Sequence, residues 1–275
     1  MSDPDTSSPS TSGLAGDRPL VRVGVNGAAG RMGSKVCSAV ALDPELELVA
    51  AVDPHHAGGS VEGLPIAGEL RTFADAGCDV VVDFTVAEVA RTSVTWMALH
   101  GIHAVVGTTG LTDHDLDAFR EAFGSGGSNC LVAPNFAVSA VLMMRFAEIA
   151  APFFDTAEVI EYHHDGKVDA PSGTAAETAR RIAAASDRWA PDRTSHETFP
   201  GSRGGMGPAG VRLHAVRMRG MVAHQEVLLG ALGQTLTIRQ DSYDRASFMP
   251  GVLLACKRIA DHPGLTVGLD PYLGL

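Results

Sequence analysis

The sequence predicts an α/β protein in two parts: a doubly wound parallel sheet, then a second α/β domain with an antiparallel sheet. Three observations carry this. A β-branched strand pattern passes through a glycine turn, GAAGRMG, into a helical pattern over residues 21–42. Short apolar runs then alternate with helical stretches as far as residue 133, and such alternation folds into a right-handed parallel sheet. After residue 210 three strand patterns follow one another with short connections, as antiparallel neighbours do.

Composition bounds what surrounds these elements. The chain has 275 residues, 45% of them hydrophobic, enough for a substantial core in one large or two modest domains. Its net charge of −11 disfavours a nucleic-acid surface, although a local basic pocket remains compatible with it. A mean hydropathy of +0.10 disfavours a membrane span, and so does the lack of any run of about eighteen uncharged apolar residues. Cys37, Cys78, Cys130 and Cys256 are scattered and form no CxxC, which fits buried thiols in a reducing cytoplasm. Residues 1–19 are rich in Ser, Thr, Pro, Asp and Gly and lack an apolar signal core, so a disordered tail is expected.

The first strand, VRVGVN, runs into Gly27, Ala28, Ala29, Gly30, Arg31, Met32 and Gly33. Strand, glycine turn and helix is the setting of a dinucleotide site. Gly27 makes the tight turn, Gly30 lets backbone approach a pyrophosphate, and Gly33 lets the helix pack on the strand. The diphosphate then meets free N–H groups at a helix N-terminus. The spacing is GxxGxxG and not GxGxxG, so a plain tight turn is the competing reading. The next strand, 47–53, ends in Asp53, twenty residues after Gly33, where an acid accepts ribose hydroxyls. A surface turn acid is the alternative there, since Pro54 follows. No Lys or Arg follows directly, but His55 and His56 do and Arg31 lies in the glycine turn, so NADH and NADPH both stay open.

A near-continuous apolar strand at 79–84, a helix at 86–100, a strand at 103–106, a helix at 112–123 capped by Thr112, and a strand at 130–133 complete the first part. Their tips carry DFT (Asp83, Phe84, Thr85), GTTG (from Gly107, Thr108 and Thr109) and APNF (Ala133, Pro134, Asn135, Phe136). Ligands of such sheets lie off these carboxyl ends.

The second part begins with a helix at 139–151, with Val141, Leu142, Phe146 and Ile149 on one face. A strand follows at 157–161, a helix at 174–185 with Ser172 or Thr174 as cap, and a long loop at 186–210. The strands at 211–218, 223–229 and 234–240 read as one antiparallel sheet, before a last helix at 247–260 with Pro250 in its first turn. His214 and His224 are expected to be structural, and Met143, Met144, Met218 and Met221 core filler.

The chemistry concentrates in residues 161–174, EYHHDGKVDAPSGT. His163 and His164 point opposite ways if the segment is extended, so one can exchange a proton while the other holds substrate. Lys167 adds a point charge or a proton. Ser172, Gly173 and Thr174 offer hydroxyls and N–H groups at a helix start, a ready carboxylate site. Zinc on the two histidines and Asp165 or Asp169 is disfavoured because adjacent histidines seldom reach one metal, so no metal is expected. No GxSxG is present to support a hydrolase triad.

With GAAGRMG, DFT, GTTG, APNF and HHxxKxDAPSGT in order, the chain resembles the 4-hydroxy-tetrahydrodipicolinate (dihydrodipicolinate) reductase family over about residues 20–275. The resemblance implies a Rossmann-like doubly wound parallel sheet and a second α/β domain carrying a mixed, largely antiparallel sheet. It places 20–133 and 241–275 in the dinucleotide-binding domain and 134–240 in a substrate-binding and oligomerisation domain. It implies a cytoplasmic homotetramer that reduces a small dicarboxylate of lysine and diaminopimelate biosynthesis with NADH or NADPH. By the same resemblance Gly27 to Met32 hold the pyrophosphate and Asp53 the ribose. Gly107, Thr108, Thr109 and Ala133 to Phe136 lie by the nicotinamide. His163 is similar to the catalytic acid/base, Lys167 to the proton donor, and His164, Gly173 and Thr174 to the substrate-carboxylate binders. Pro54 stands where NADPH-favouring members often have a basic residue. Two other readings stand beside this one: another two-domain amino-acid dehydrogenase, and a non-catalytic NAD(P)-binding sensor.

Overall fold

A computed structural model describes residues 19–124 and 126–275. The expected tail, residues 1–19, lies outside the described residues except for Pro19. β1 (Val21–Asn26) leads through the glycine turn into α1 (Gly33–Leu42), and β2 (Leu46–Val52) follows. The stretch up to residue 79, which no clear periodicity announces, forms β3 (Ser60–Val61), β4 (Leu64–Ala67) and α2 (Arg71–Asp75). Then come β5 (Val80–Asp83), α3 (Ala87–Leu99), β6 (His103–Val106), α4 (Asp113–Phe123) and β7 (Cys130–Val132). Thr112 caps α4 through a reciprocal box with Asp115, which satisfies two first-turn donors.

These strands form an eight-stranded sheet in the order β13-β7-β6-β5-β1-β2-β4-β3, parallel except for the β3–β4 hairpin. β13 (Leu265–Val267) reaches its edge from far along the chain. Alternation splits each strand between two cores. Val23, Val25, Val80 and Val82 pack with Val36 and Val40 of α1, whereas Val81, Ala104 and Val106 pack with Val94 and Met97 of α3 and Phe119 of α4. Both faces are covered, as the apolar strand runs require.

The second part comprises α5 (Val138–Ala150), β8 (Thr156–His163), α6 (Gly173–Ala185), β9 (Gly205–Met206), β10 (Arg212–Arg217), β11 (Ala223–Ala231) and β12 (Gln234–Ser242). Its five-stranded sheet has the order β12-β11-β8-β10-β9, mixed and largely antiparallel. Here the structure corrects one expectation. The three late strands do not all lie side by side in the sheet: β11 and β12 pair antiparallel, but β8 lies between β10, to which it is parallel, and β11, to which it is antiparallel. Short connections favour adjacent pairing, but residues 218–222 step across β8.

Other corrections concern faces and ends. The buried stripe of α5 is Ala140, Val141, Met143, Met144 and Ala147, while Phe146 and Ile149 are exposed. The helix is apolar on most sides, so periodicity alone did not select its inner face. Met218, expected in the core, is 46% exposed in the β10–β11 connection. α7 (Met249–Arg258), with Pro250 in its first turn, is not the last element, since β13 and α8 (Asp270–Leu273) follow it. The four cysteines are buried and free, and burial pushes the Cys37, Cys78 and Cys256 thiols up to about 12. His214 bonds Glu158 (2.7 Å) and His224 bonds Asp241 (2.7 Å), so both serve the sheet.

Gly33 shows how tightly α1 sits on the turn: a Cβ there would meet the Gly27 carbonyl oxygen at 2.0 Å. Gly33→Ala is therefore expected to lower unfolding stability by about 1–3 kcal/mol through overpacking, read from urea denaturation. A change under a few tenths would show that the turn adapts.

Candidate active site

The carboxyl ends of the first sheet's strands are level. Val52, Asn26, Asp83, Val106, Val132 and Val267 are register partners from strand to strand. The next residues, among them Asp53, Gly27, Phe84, Gly107 and Ala133, therefore share one edge. Asp83 binds this edge together. It is fully buried and accepts from Asn26 Nδ2 (2.8 Å), Ser93 Oγ (2.6 Å), Thr108 Oγ1 (2.9 Å), Thr85 Oγ1 (2.7 Å) and Thr85 N–H (3.1 Å).

At one end of the edge lies the glycine turn. Gly27 has φ +78°, open to glycine without strain. The Gly27 and Ala28 N–H groups donate to the Val52 carbonyl at 2.8 and 3.1 Å. The Ala29 N–H donates to Asp53 Oδ2 (3.3 Å), and Asp53 Oδ1 accepts the His55 N–H (3.1 Å) and faces His56 Nδ1 (3.1 Å). Asp53 is thus buried against the turn, and Arg31 is exposed on it. No side chain caps α1, which leaves its N-terminal dipole end open. A tight glycine cradle, an uncapped helix start and an adjoining carboxylate fit a dinucleotide. Next along the edge, the Phe84 ring lies on Gly107, where a Cβ would come within 2.1 Å of it, and 5.8 Å from the Phe136 ring.

At the other end a cleft of about 790 Å³ opens between the two halves. Thr108, Thr109, Pro134 and Asn135 line it from the first, and His163, Lys167, Gly173 and Thr174 from the second. Asn135 Nδ2 bridges directly to Thr174 Oγ1 (3.1 Å). Asn135 Oδ1 is held by the Ala137 N–H (2.8 Å). Ala133 and Phe136 are buried and contribute packing. The glycine turn and Asp53 lie outside the cleft, along the strand edge. His164, one residue past the end of β8, is exposed and does not line the cleft. The 186–210 loop does not reach it either: Ala190 N–H anchors it to the Asp155 carbonyl (2.7 Å), and Arg203 pairs with Glu158 and Asp192.

His163 is the last residue of β8, and its Nδ1 is bonded to Glu161 two residues before it. Glu161 also accepts both terminal nitrogens of Arg217 (2.9 and 2.8 Å) and the Ser172 N–H (3.1 Å). Burial alone would raise the Glu161 carboxyl, but the bonds from His163, Arg217 and Ser172 outweigh it and bring it down to about 2. Lys167 Nζ holds both oxygens of Asp169 (2.7 and 2.9 Å) and keeps that carboxyl below its ordinary value. Ser172 caps α6: its Oγ takes the Ala175 N–H and its carbonyl the Ala176 N–H. The Gly173 and Thr174 N–H groups remain for a ligand at the helix start. Imidazole, ammonium and helix N-terminus thus converge on one wall, able to bind an anion and donate a proton. Among the described residues no group of three or more His, Cys, Asp or Glu is disposed to hold a metal.

Glu161 and Arg217 were not among the residues singled out from sequence. Glu161 was legible, because it continues the inward alternation Ala157, Val159, Glu161 and stands at strand spacing from His163. Arg217 had no such signal, since its partner lies across the β8–β10 pairing.

Two family models match the chain, "Dihydrodipicolinate reductase, N-terminus" over residues 21–136 and "Dihydrodipicolinate reductase, C-terminus" over 139–273. The chain is 50% identical over 261 residues to the 4-hydroxy-tetrahydrodipicolinate reductase of Corynebacterium urealyticum, covering 93% of this chain and 100% of that one. It is 54% identical over 260 residues to the protein of the same name from Beutenbergia cavernae, at 93% and 99% coverage. Among solved structures it resembles a dipicolinate-bound dihydrodipicolinate reductase from Paenisporosarcina sp. TG-14, with TM-score 0.83 and 35% identity, covering 92% of this chain and 99% of that one.

The depressed Glu161 carboxyl makes a signed prediction. A group lowered from 4.5 to about 2 on folding contributes stability that is complete above about 4.5 and lost as pH falls toward 2. Urea midpoints between pH 6 and pH 3 should therefore fall more steeply for the wild type than for Glu161→Gln, which has no carboxyl to titrate. Parallel slopes would show that Glu161 is not depressed by its partners.

Proposed function

The chain belongs to the dihydrodipicolinate reductase family, and on that premise we propose that it reduces 4-hydroxy-tetrahydrodipicolinate to tetrahydrodipicolinate with NAD(P)H and loss of water, in lysine and diaminopimelate biosynthesis. The observation that carries this reading is the cleft, which sets Thr108, Thr109 and Asn135 opposite His163, Lys167 and the start of α6. A bound nicotinamide supplies hydride to the unsaturated ring.

The chain's own residues do the rest. The glycine turn, Gly27 to Met32, would hold the diphosphate by the Arg31 and Met32 N–H groups, since the Gly27 to Gly30 N–H groups already donate within the turn, and by the helix dipole, and Asp53 would accept the adenosine ribose. Gly107, Thr108, Thr109 and Ala133 to Phe136 form the nicotinamide side, where small and hydroxyl residues admit a flat ring. Gly173 and Thr174 take a substrate carboxylate on free N–H groups, with Lys167 adding a point charge and His164 lying outside the cleft in this conformation. Hydride addition leaves excess electron density on the ring, and His163 with Lys167 supplies the compensating proton. The cofactor domain comprises 20–133 and 241–275 and the substrate domain 134–240. The open face of the five-stranded sheet, with Ile160, Tyr162, Val216 and Leu228, supports assembly into a homotetramer, which light scattering on the intact chain would measure. The free buried thiols support a reducing, cytoplasmic setting.

Two outcomes test the assignment of roles. With substrate generated from aspartate semialdehyde and pyruvate by the upstream synthase, His163→Gln should lower kcat by about 10²–10⁴. Lys167→Ala should also lower kcat, and an effect on KM alone would make Lys167 a binding residue. The buried Asp53 carboxylate with no Lys or Arg at 54–56 supports NADH as the better cofactor, since a 2′-phosphate would meet a negative charge. Asp53→Gly is expected to reduce kcat/KM with NADH by about tenfold, roughly one charged hydrogen bond, while sparing NADPH. Equal losses with both cofactors would remove Asp53 from the specificity role.

A further inference from the structure

We propose that Glu161, clamped by Arg217, is a positioning residue that sets both the proton-donating ring of His163 and the carboxylate-binding start of α6. This rests on the reading of His163 as the proton donor. The inward positions of β8 before it are Ala157 and Val159, both buried apolar residues. A carboxylate 1% exposed in that row is tolerated only if its oxygens are fully engaged. They are. Oε2 takes His163 Nδ1 and Arg217 Nη1, while Oε1 takes Arg217 Nη2 and the Ser172 N–H.

Chemistry fixes the tautomer. An ionised carboxylate only accepts, so the His163 nitrogen facing it must carry hydrogen, and Nε2 is the ring nitrogen left for the cleft. The same carboxylate holds the backbone of Ser172, the cap whose hydroxyl and carbonyl order the first turn of α6. Arg217 adds the third tie. Its two terminal nitrogens grip both oxygens, which fixes the carboxylate plane, and Nη2 also donates to the Asp169 carbonyl (2.6 Å). The loop bearing Lys167 is thereby held at its start by His163, at its end by Ser172, and near its end by Asp169. A glutamine at 161 has one acceptor oxygen, and its amide N–H₂ must point at groups that are themselves donors. It cannot satisfy all four partners.

The test uses the full-length chain. Glu161→Gln is expected to lower kcat by about 10²–10⁴-fold, as loss of an orienting carboxylate behind a catalytic histidine does, and to raise the substrate KM. The Kd for NADH, followed by nucleotide fluorescence, should not move. ¹⁵N NMR should find the His163 Nδ1–H form in the wild type and lose it in the variant. Glu161→Asp and Arg217→Lys, which keep the charges and weaken the geometry, should fall between. If Glu161→Gln does not fold, Glu161→Gln with Arg217→Gln, which removes both charges together, is read the same way. A kcat within about twofold of wild type, or unchanged His163 nitrogen signals, overturns the proposal. The reading of His163 fails separately, if His163→Gln keeps its kcat while the NMR still shows Glu161 setting the tautomer.

Discussion

One buried carboxylate shapes the working edge of the first sheet. Asp83 lies at the end of β5, without exposure, and five hydrogen bonds converge on it from β1, α3 and the turns after β5 and β6. An ion in that position would cost several kcal/mol if left unpaired, so the surrounding hydroxyls and amide are committed to it and to one arrangement. Thr108 Oγ1 in turn accepts the Thr85 N–H (3.0 Å), so the DFT and GTTG tips are braced together. The level strand ends make an edge, and Asp83 keeps it from fraying where ligands come closest to backbone.

Across the cleft the second sheet repeats the device with different consequences. Glu161 is also a buried carboxylate under several donors, but two of those donors belong to the groups proposed to do chemistry. The Asn135–Thr174 bond joins the two walls directly, and Arg181 bonds Asp270 through both terminal nitrogens (2.6 and 3.1 Å), tying α6 to α8. A protein with net charge −11 thus gathers imidazole, ammonium and helix N-terminus in one place, which is the arrangement a dicarboxylate requires.

Much of this was legible because the informative signals were local. The glycine turn, the capped start of α4, the apolar strand runs and HHxxKxDAPSGT all announce themselves within a dozen or so residues. What escaped depended on distant partners or on degenerate patterns. β10 pairs with β8 over β11 because of sheet order, which connection length does not encode. α5 buries Met143 and Met144 and exposes Phe146 and Ile149, a choice made by packing on a helix apolar nearly all round. The tips were placed correctly on one edge, but only the lining of the cleft showed which of them reach it and that His164 does not. Glu161 lay inside the stretch that carried the chemistry, and its inward position in strand alternation was the clue. Arg217 could be found only across the sheet.

The topology of β13 bears on how the chain comes into being. β7 ends the first run of parallel strands near residue 132, and its open edge is closed only by residues 265–267. α7 likewise covers α1 and anchors to the region before β2 through Lys257, which pairs with Asp43 (2.9 Å) and Glu45. During synthesis the first sheet therefore waits, with one edge and part of one face bare, while the whole second sheet emerges between its halves. Contacts of such long sequence separation form late and slowly, and an exposed strand edge invites wrong partners meanwhile. The half that carries the glycine turn is thus not an N-terminal module that can be cut away: α7 and β13, which complete it, follow the whole second sheet in the chain.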